Sequence, residues 1–277
     1  MKAILAGTLF SFSRDPVAGL PAIRSRLKTM KALPGGCRVY SAADGQASTA
    51  GTWTARLIIS RQTGAKQITQ AVNEYAPGLS PVVVNPNAEE VLYVAAGEGI
   101  CRCGAAAQEL RSGTAVYIPP GAAYSIENTG LETLRVVSAC CPEDPDRHVT
   151  AELGEAKECR AVHEDDREVI RAGADREFRY LAHTDLGCRQ VTQFVGWIPS
   201  SKAPLHLHPY EEAIYILDGH GILHLEGNMS ASEFGPGDSI YLRDGVLHCL
   251  ENPGPAPIRL LGVFHPSGSP GVAYEDD

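Results

Sequence analysis

Basic charge is in short supply in this chain. Lys and Arg number 24 against 33 Asp and Glu, for a net charge of −9. Such a surface does not neutralise a run of phosphates, which argues against a nucleic-acid partner, and no helix-turn-helix pattern is attached. The eight cysteines include no C-x2-C pair, which argues against a zinc knuckle or a thioredoxin-like motif. Scattered in this way they read as unpaired thiols of a reducing cytosol. No apolar run reaches the roughly 20 residues of a membrane span. The opening run Met1 to Phe10 is short, and Ser11 to Asp15 after it offers no small-x-small cleavage site. A cytoplasmic protein with no membrane partner is expected. A Gly-rich phosphate loop and a Ser-His-Asp order are both missing, so neither phosphoryl transfer nor a serine nucleophile is indicated.

What is present fits a turn-rich, all-β chain. The 277 residues allow one large or two medium domains, with 28 Gly and 19 Pro to make turns. The stretch Pro204 to Gly219 carries the densest chemistry. His206 and His208 alternate with Leu205 and Leu207, and a strand period of two puts both imidazoles on one face. Glu212 follows past a Pro209-Tyr210 turn, and a strand over Ala213 to Leu217 comes next. His248 comes forty residues after His208, on a later strand. Three imidazoles and a carboxylate close most of the shell of a borderline divalent metal and leave positions for water or substrate. Cys249 alternates away from that face and reads as core.

A repeat underlies the whole chain. Shifted by 122 residues, Tyr75 falls on Trp197, Pro77 on Pro199, Glu90 on Glu212 and Gly97 on Gly219. Shifted by 124, Gly113, Gly121 and Asn128 fall on Gly237, Gly245 and Asn252. A duplicated barrel is the direct explanation. The first copy keeps the turn glycines but has Val84, Pro86 and Tyr124 where the second has His206, His208 and His248. Glu90 alone remains, and one carboxylate does not hold a metal, so one metal per chain is expected. The first barrel is then a structural half with a vestigial pocket around Tyr124 and Glu90.

The expected division is an N-terminal extension over 1–50, a first barrel over 51–141, a linker over 142–176 and a second barrel over 177–277. Pro21 to Leu33 has the spacing of a short helix, with Ile23, Leu27 and Met30 on one face. Leu9, Phe10, Phe12 and Leu20 need burial, and with barrel edges they point to a homodimer, the alternative being an arm folded back on its own first barrel. His148 and His163 sit among charges and read as solvent-exposed, while His220 and His224 read as surface or capping residues. Gln193 and Arg243 are candidates to fix a substrate carboxylate or amide, and His265 is a candidate to line the barrel mouth.

The spacings His-x-His-x3-Glu-x6-Gly and Gly-x7-Gly-x2-His-x3-Asn, from His206 to Asn252, resemble the two signature motifs of the cupin superfamily. Two positions depart: Ser200 stands where the motif has a glycine and Arg243 where it has a proline. Neither is a ligand position. Over residues 52 to 266 the chain resembles the two-domain members, the bicupins. The resemblance implies two double-stranded β-helix (jelly-roll) barrels in tandem and one Mn, Fe, Ni or Zn ion on His206, His208, Glu212 and His248. It leaves the reaction open, since the same shell serves dioxygenases, decarboxylases, isomerases and hydrolases. Oxalate-decarboxylase-like bicupins carry ligands in both barrels, and gentisate-dioxygenase-like ones use the first. Ureidoglycine aminohydrolase is similar in architecture, with a silent first barrel, but its ligand set begins with a carboxylate and ends with a glutamine. The implied activity is a metal-dependent dioxygenase or aminohydrolase acting on a small, polar, oxygen-rich substrate. The alternative is a non-catalytic metal- or ligand-binding cupin. No catalytic residue beyond the ligands is singled out.

Overall fold

The computed structural model describes residues 31–41, 44–45, 47–154, 157, 159–172, 176–225 and 230–270. The apolar arm residues Leu9, Phe10, Phe12 and Leu20, on which the homodimer expectation rested, lie outside the described residues. So does most of the expected helix, whose last part, Lys31–Ala32, is instead a strand.

Two antiparallel barrels follow one plan. In the first, the larger sheet runs in the order Arg160–His163, Thr114–Ile118, Glu89–Ala96, Leu134–Cys141, Thr69–Tyr75, Trp53–Ile59, Ala47–Ala50. In the second, the same path reads Arg38–Tyr40, Ser239–Leu242, Glu211–Asp218, Ile258–His265, Thr192–Ile198, Arg176–Tyr180, Ile170–Ala172. A smaller sheet closes each barrel, carrying Ala123–Asn128 in one and His248–Asn252 in the other. The repeat seen in the sequence is therefore a repeat of strand order. Its turns are held by glycine where nothing else fits: Gly97 and Gly219 have φ of 88° and 83°, and a Cβ on either would meet the Cα of Leu134 or Ile258 at 2.8 Å.

The boundaries differ from those expected, for a topological reason. Arg38–Tyr40, in the segment read as an extension, pairs with Ser239–Leu242 of the second barrel. Arg160–His163, in the segment read as a linker, pairs with Thr114–Ile118 of the first. These strands are related by the repeat shift, so each copy lends its opening strand to the other barrel. His148–Thr150 also joins the first barrel, against Val82–Val84. Cuts at 50/51 and 141/142 thus separate strands from their partners. Composition marked these segments as loop-like, and only long-range pairing shows that they are sheet.

Period-two alternation sorts each strand between two cores. Within the second barrel, Phe178, Phe194, Ile214, Ile216, Leu260 and Phe264 pack together. The opposite faces pack between barrels, where Val91, Tyr117 and Ala139 meet their repeat counterparts Ala213, Tyr241 and Val263.

Two charged or polar expectations are corrected here. Cys103 and Cys159 form a disulfide, and the other six cysteines are buried thiols, so the cysteines do not by themselves argue for a reducing cytosol. His163 is buried rather than exposed. Its Nδ1 accepts from the Asp165 N–H at the start of a 3-10 turn, and its Nε2 bonds to Ser112 O. Among the described residues no helix is long and apolar enough to cross a membrane.

Candidate metal centre

His206 and His208 lie on an extended segment that touches the smaller sheet at one bridge, His206 to His248. Alternation holds there: Leu207 is half exposed while His208 is buried. Glu212 begins the inward face of Glu211–Asp218, and His248 opens the strand His248–Asn252. One ligand-type atom each from His208, Glu212 and His248 lies within 4.8 Å of the others. His206 stands beside this trio, its ring 4.6 Å from that of His248 and 6.4 Å from that of His208.

The tautomers decide what the cluster can hold. The Nδ1 of His206 contacts Pro204 O at 3.1 Å, that of His208 contacts Tyr210 O at 2.9 Å, and that of His248 contacts Val246 O at 2.7 Å. A carbonyl oxygen only accepts, so each Nδ1 carries the hydrogen and each neutral ring offers its lone pair at Nε2. His208 Nε2 sits 3.1 Å from Glu212 Oε2, two acceptor atoms facing each other unless a proton or cation lies between them. Burial, helped by the charges of His206 and His208, pulls His248 down from 6.5 to about 3, and burial also lowers His206. Burial opposes charge on His208 too, but the hydrogen bond and charge of Glu212 outweigh it and raise its pKa. Three backbone-anchored imidazoles and a buried carboxylate fit a divalent metal.

The other candidates lie elsewhere. Gln193 is fully buried, but alternation turns it outward while its neighbour Phe194 faces the cavity. His265 is out of phase with Phe264 in the same way, and its Nδ1 donates to Gln190 O. Arg243 packs along Gly36, with its guanidinium 3.9 Å from Asp244. None of the three lines the cavity beside the cluster. His224 pairs with Glu251, away from that cavity.

The first barrel fills the equivalent place with a guanidinium. Glu90 is fully buried and accepts from Asn85 Nδ2 at 2.5 Å and Tyr124 OH at 3.0 Å. Arg147 pairs with its other oxygen at 3.2 Å, donates to Tyr124 OH and lies over the Trp53 ring. The expected vestigial pocket is thus plugged from the segment read as a linker.

Two residues escaped the sequence reading. Glu89 and Glu211 precede Glu90 and Glu212, so alternation turns them toward the opposite barrel. Glu89 accepts from the backbone N–H groups of Arg189 and Gln190 and from Tyr117 OH. Glu211 accepts from those of Lys66 and Gln67 and from Tyr241 OH. The signal was there: an adjacent Glu pair at the same place in both copies.

These features define a class: a tandem double-stranded β-barrel protein with an inward His/Glu cluster in one barrel. The chain is a bicupin. A "Cupin" family model matches residues 61–156 and a "Cupin domain" model residues 194–264. A germin-like protein (subfamily 2 member 3) of Arabidopsis thaliana is 32% identical over 74 residues, covering 25% of this chain and 34% of the relative. An uncharacterised protein of Methanocaldococcus jannaschii is 37% identical over 67 residues, 24% of this chain and 52% of that one. The chain thus matches about a third to a half of the length of these curated relatives. Among solved structures, a putative glyoxylate-induced protein of Pseudomonas aeruginosa superposes with TM-score 0.67 at 20% identity, covering 84% of this chain and 90% of that one. At this identity the likeness shows the fold alone.

Proposed function

We propose that the second barrel holds one Mn, Fe, Ni or Zn ion on His206, His208, Glu212 and His248, and that the chain is an enzyme acting there on a small metabolite with oxygen donors. The carrying observation is the tautomer set: three Nδ1–H groups committed to carbonyls, which leaves Nε2 as the ligand atom of each neutral ring, with His208 and His248 gathered around the buried Glu212 carboxylate. The bound ion would supply a Lewis acid that polarises a substrate oxygen. The chain's own part is to orient the rings through their carbonyl bonds, to lower the site's net charge through Glu212, and to exclude water with an aromatic wall in which Tyr210 stacks on His208 and Phe264 meets it edge-on. A relative named germin-like protein and the bicupin fold support this reading. O2 uptake, ammonia release and CO2 release by metal-loaded protein test the dioxygenase, aminohydrolase and decarboxylase forms. Silence in all three, with metal bound, would favour a binding protein.

Metal stoichiometry by elemental analysis should be about one per chain. His248→Ala should lose that metal while circular dichroism shows the barrel intact, and Glu212→Gln should weaken binding less. Glu90→Gln should leave metal content unchanged. Full metal retention in His248→Ala would sink the site.

Metal affinity should also fall as pH drops. A coordinating imidazole must be unprotonated, and Glu212 keeps a proton on His208 to higher pH than an ordinary histidine. Uptake by chelator-stripped protein at pH 5.5 and 7.5 checks the sign: equal or tighter binding at the lower pH would contradict it.

A further inference from the structure

In each barrel the chain that leaves the last strand turns back across the barrel mouth. In the first, residues 142–147 follow Leu134–Cys141 and bring Arg147 onto the buried Glu90 carboxylate. Residues 266–270 stand at the repeat-related place after Ile258–His265, since His265 pairs with Glu211 as Cys141 pairs with Glu89. Their sequence is Pro-Ser-Gly-Ser-Pro, with no charge and no large apolar side chain. Ser269 and Pro270 line the same cavity as His206, His208, Glu212 and His248.

Hydroxyl groups hold this segment down. Thr192 Oγ1 and Ser267 Oγ are 2.6 Å apart, and the Gly268 N–H donates to Thr192 Oγ1 at 3.2 Å. Tyr180 OH donates to Ser269 Oγ and Tyr210 OH to Ser269 O, each at 2.8 Å. A Cβ on Gly268 would lie 2.5 Å from Tyr210 Cε1, so glycine lets the backbone rest on that ring. The ring is itself stacked on His208, with centroids 4.6 Å apart, so the segment reaches the cluster through one aromatic layer. Residues 267–270 are half-buried. A cover fastened by neutral hydrogen bonds, with no large apolar group to draw from the core, opens more easily than the barrel under it. Opening the plug of the first barrel would instead break a buried ion pair.

We propose that residues 266–270 are a releasable strap over the His/Glu cluster, and that its opening admits and releases the metal and any small ligand of that site. The exchange of metal rests on the proposed function, whereas the cover over the histidines does not. The duplicated segment has then diverged with its barrel: a fixed plug where no ligand set remains, and a latch where one is kept.

The test uses the full chain and two variants outside the ligand set. Tyr180→Phe removes the bond to Ser269 and keeps the ring stacked on His183. Thr192→Val removes the bonds to Ser267 and Gly268 and keeps the side-chain shape. Cobalt(II), whose visible absorption reports its own binding, is the metal probe, and its uptake by stripped protein and its release to excess EDTA are timed. Each variant should speed both uptake and release about fivefold, the effect of about one lost hydrogen bond on the open population. The Kd should stay within about twofold, because a cover that opens more often scales both rates alike. In chelator-treated protein, diethyl pyrocarbonate should modify His208 and His248 about fivefold faster in each variant, read by mass spectrometry. The exposed His148 should react at the parent rate. Unchanged cobalt exchange in both variants, or unchanged modification of His208 and His248 in both, would overturn the strap. So would faster release at unchanged uptake, which marks a weakened site rather than an opened one. If the parent binds no metal, the metal reading falls instead, and the histidine modification rates still decide the strap.

Discussion

Arg147→Ala should destabilise the protein by about 3 kcal/mol, the low end of the range for breaking a buried ion pair. Glu90 has no exposed surface, and Arg147 is the cation paired with it. The arginine side chain keeps 26% of its surface in water, and that screening is why the low end applies. Removing it leaves a carboxylate held by Asn85 and Tyr124 without a counter-charge. It also removes the guanidinium from the Trp53 ring, which lies 5.6 Å from its centre. Urea unfolding should show a lower midpoint at unchanged slope. The double variant Glu90→Gln/Arg147→Met should recover a large part of the loss, because neither partner is then left charged and buried. Metal content should stay the same in both variants. A change below about 1 kcal/mol in the single variant would show that the pair is not a support of the first barrel.

Glu211→Ala should be at least as damaging. The side chain is 4% exposed and accepts from Lys66 N–H at 2.5 Å, Gln67 N–H at 2.9 Å and Tyr241 OH at 2.5 Å. Alanine leaves three donors facing a void between barrels, and each unsatisfied buried group costs about 1–3 kcal/mol. Local relaxation and water entry reduce the sum, so about 3–5 kcal/mol is expected. Glu89→Ala should act by a similar amount, since its bonds to Arg189, Gln190 and Tyr117 are the repeat-related set. Glu211→Gln should be milder because an amide oxygen still accepts. Chemical unfolding followed by tryptophan fluorescence gives the values. Trp53 and Trp197 lie in different barrels, so loss of a single transition in either variant would show uncoupling. Unfolding of Glu211→Ala within about 0.5 kcal/mol of the parent would dismiss the clasp.

The cluster residues were legible because the spacing of His206, His208, Glu212 and His248 is itself a strand pattern joined to a turn pattern. Gln193, Arg243 and His265 were harder. Each is a polar residue near the motif in sequence, but position along a strand does not say which face is inside. The inward set is fixed by Phe194 and Phe264, and Gln193 and His265 are each one residue out of phase. Arg147 was unreadable for another reason: it sits in the segment read as a linker, and its partner Glu90 lies 57 residues away in the first barrel.

The sequence by itself determined that the chain is a duplicated all-β protein, that turn glycines recur in both copies, and that the three histidines of the ligand pattern belong to the second copy alone. These are local properties, carried by periodicity and by φ values that only glycine takes easily. Tertiary structure alone decided the exchange of opening strands between barrels, the plug of Arg147 on Glu90, the disulfide between Cys103 and Cys159, and the reciprocal grip of Glu89 and Glu211. It also decided that residues 266–270 cross the mouth beside the cluster. Each of these depends on contacts between residues far apart in the chain, and no local preference encodes which distant partner a side chain will meet.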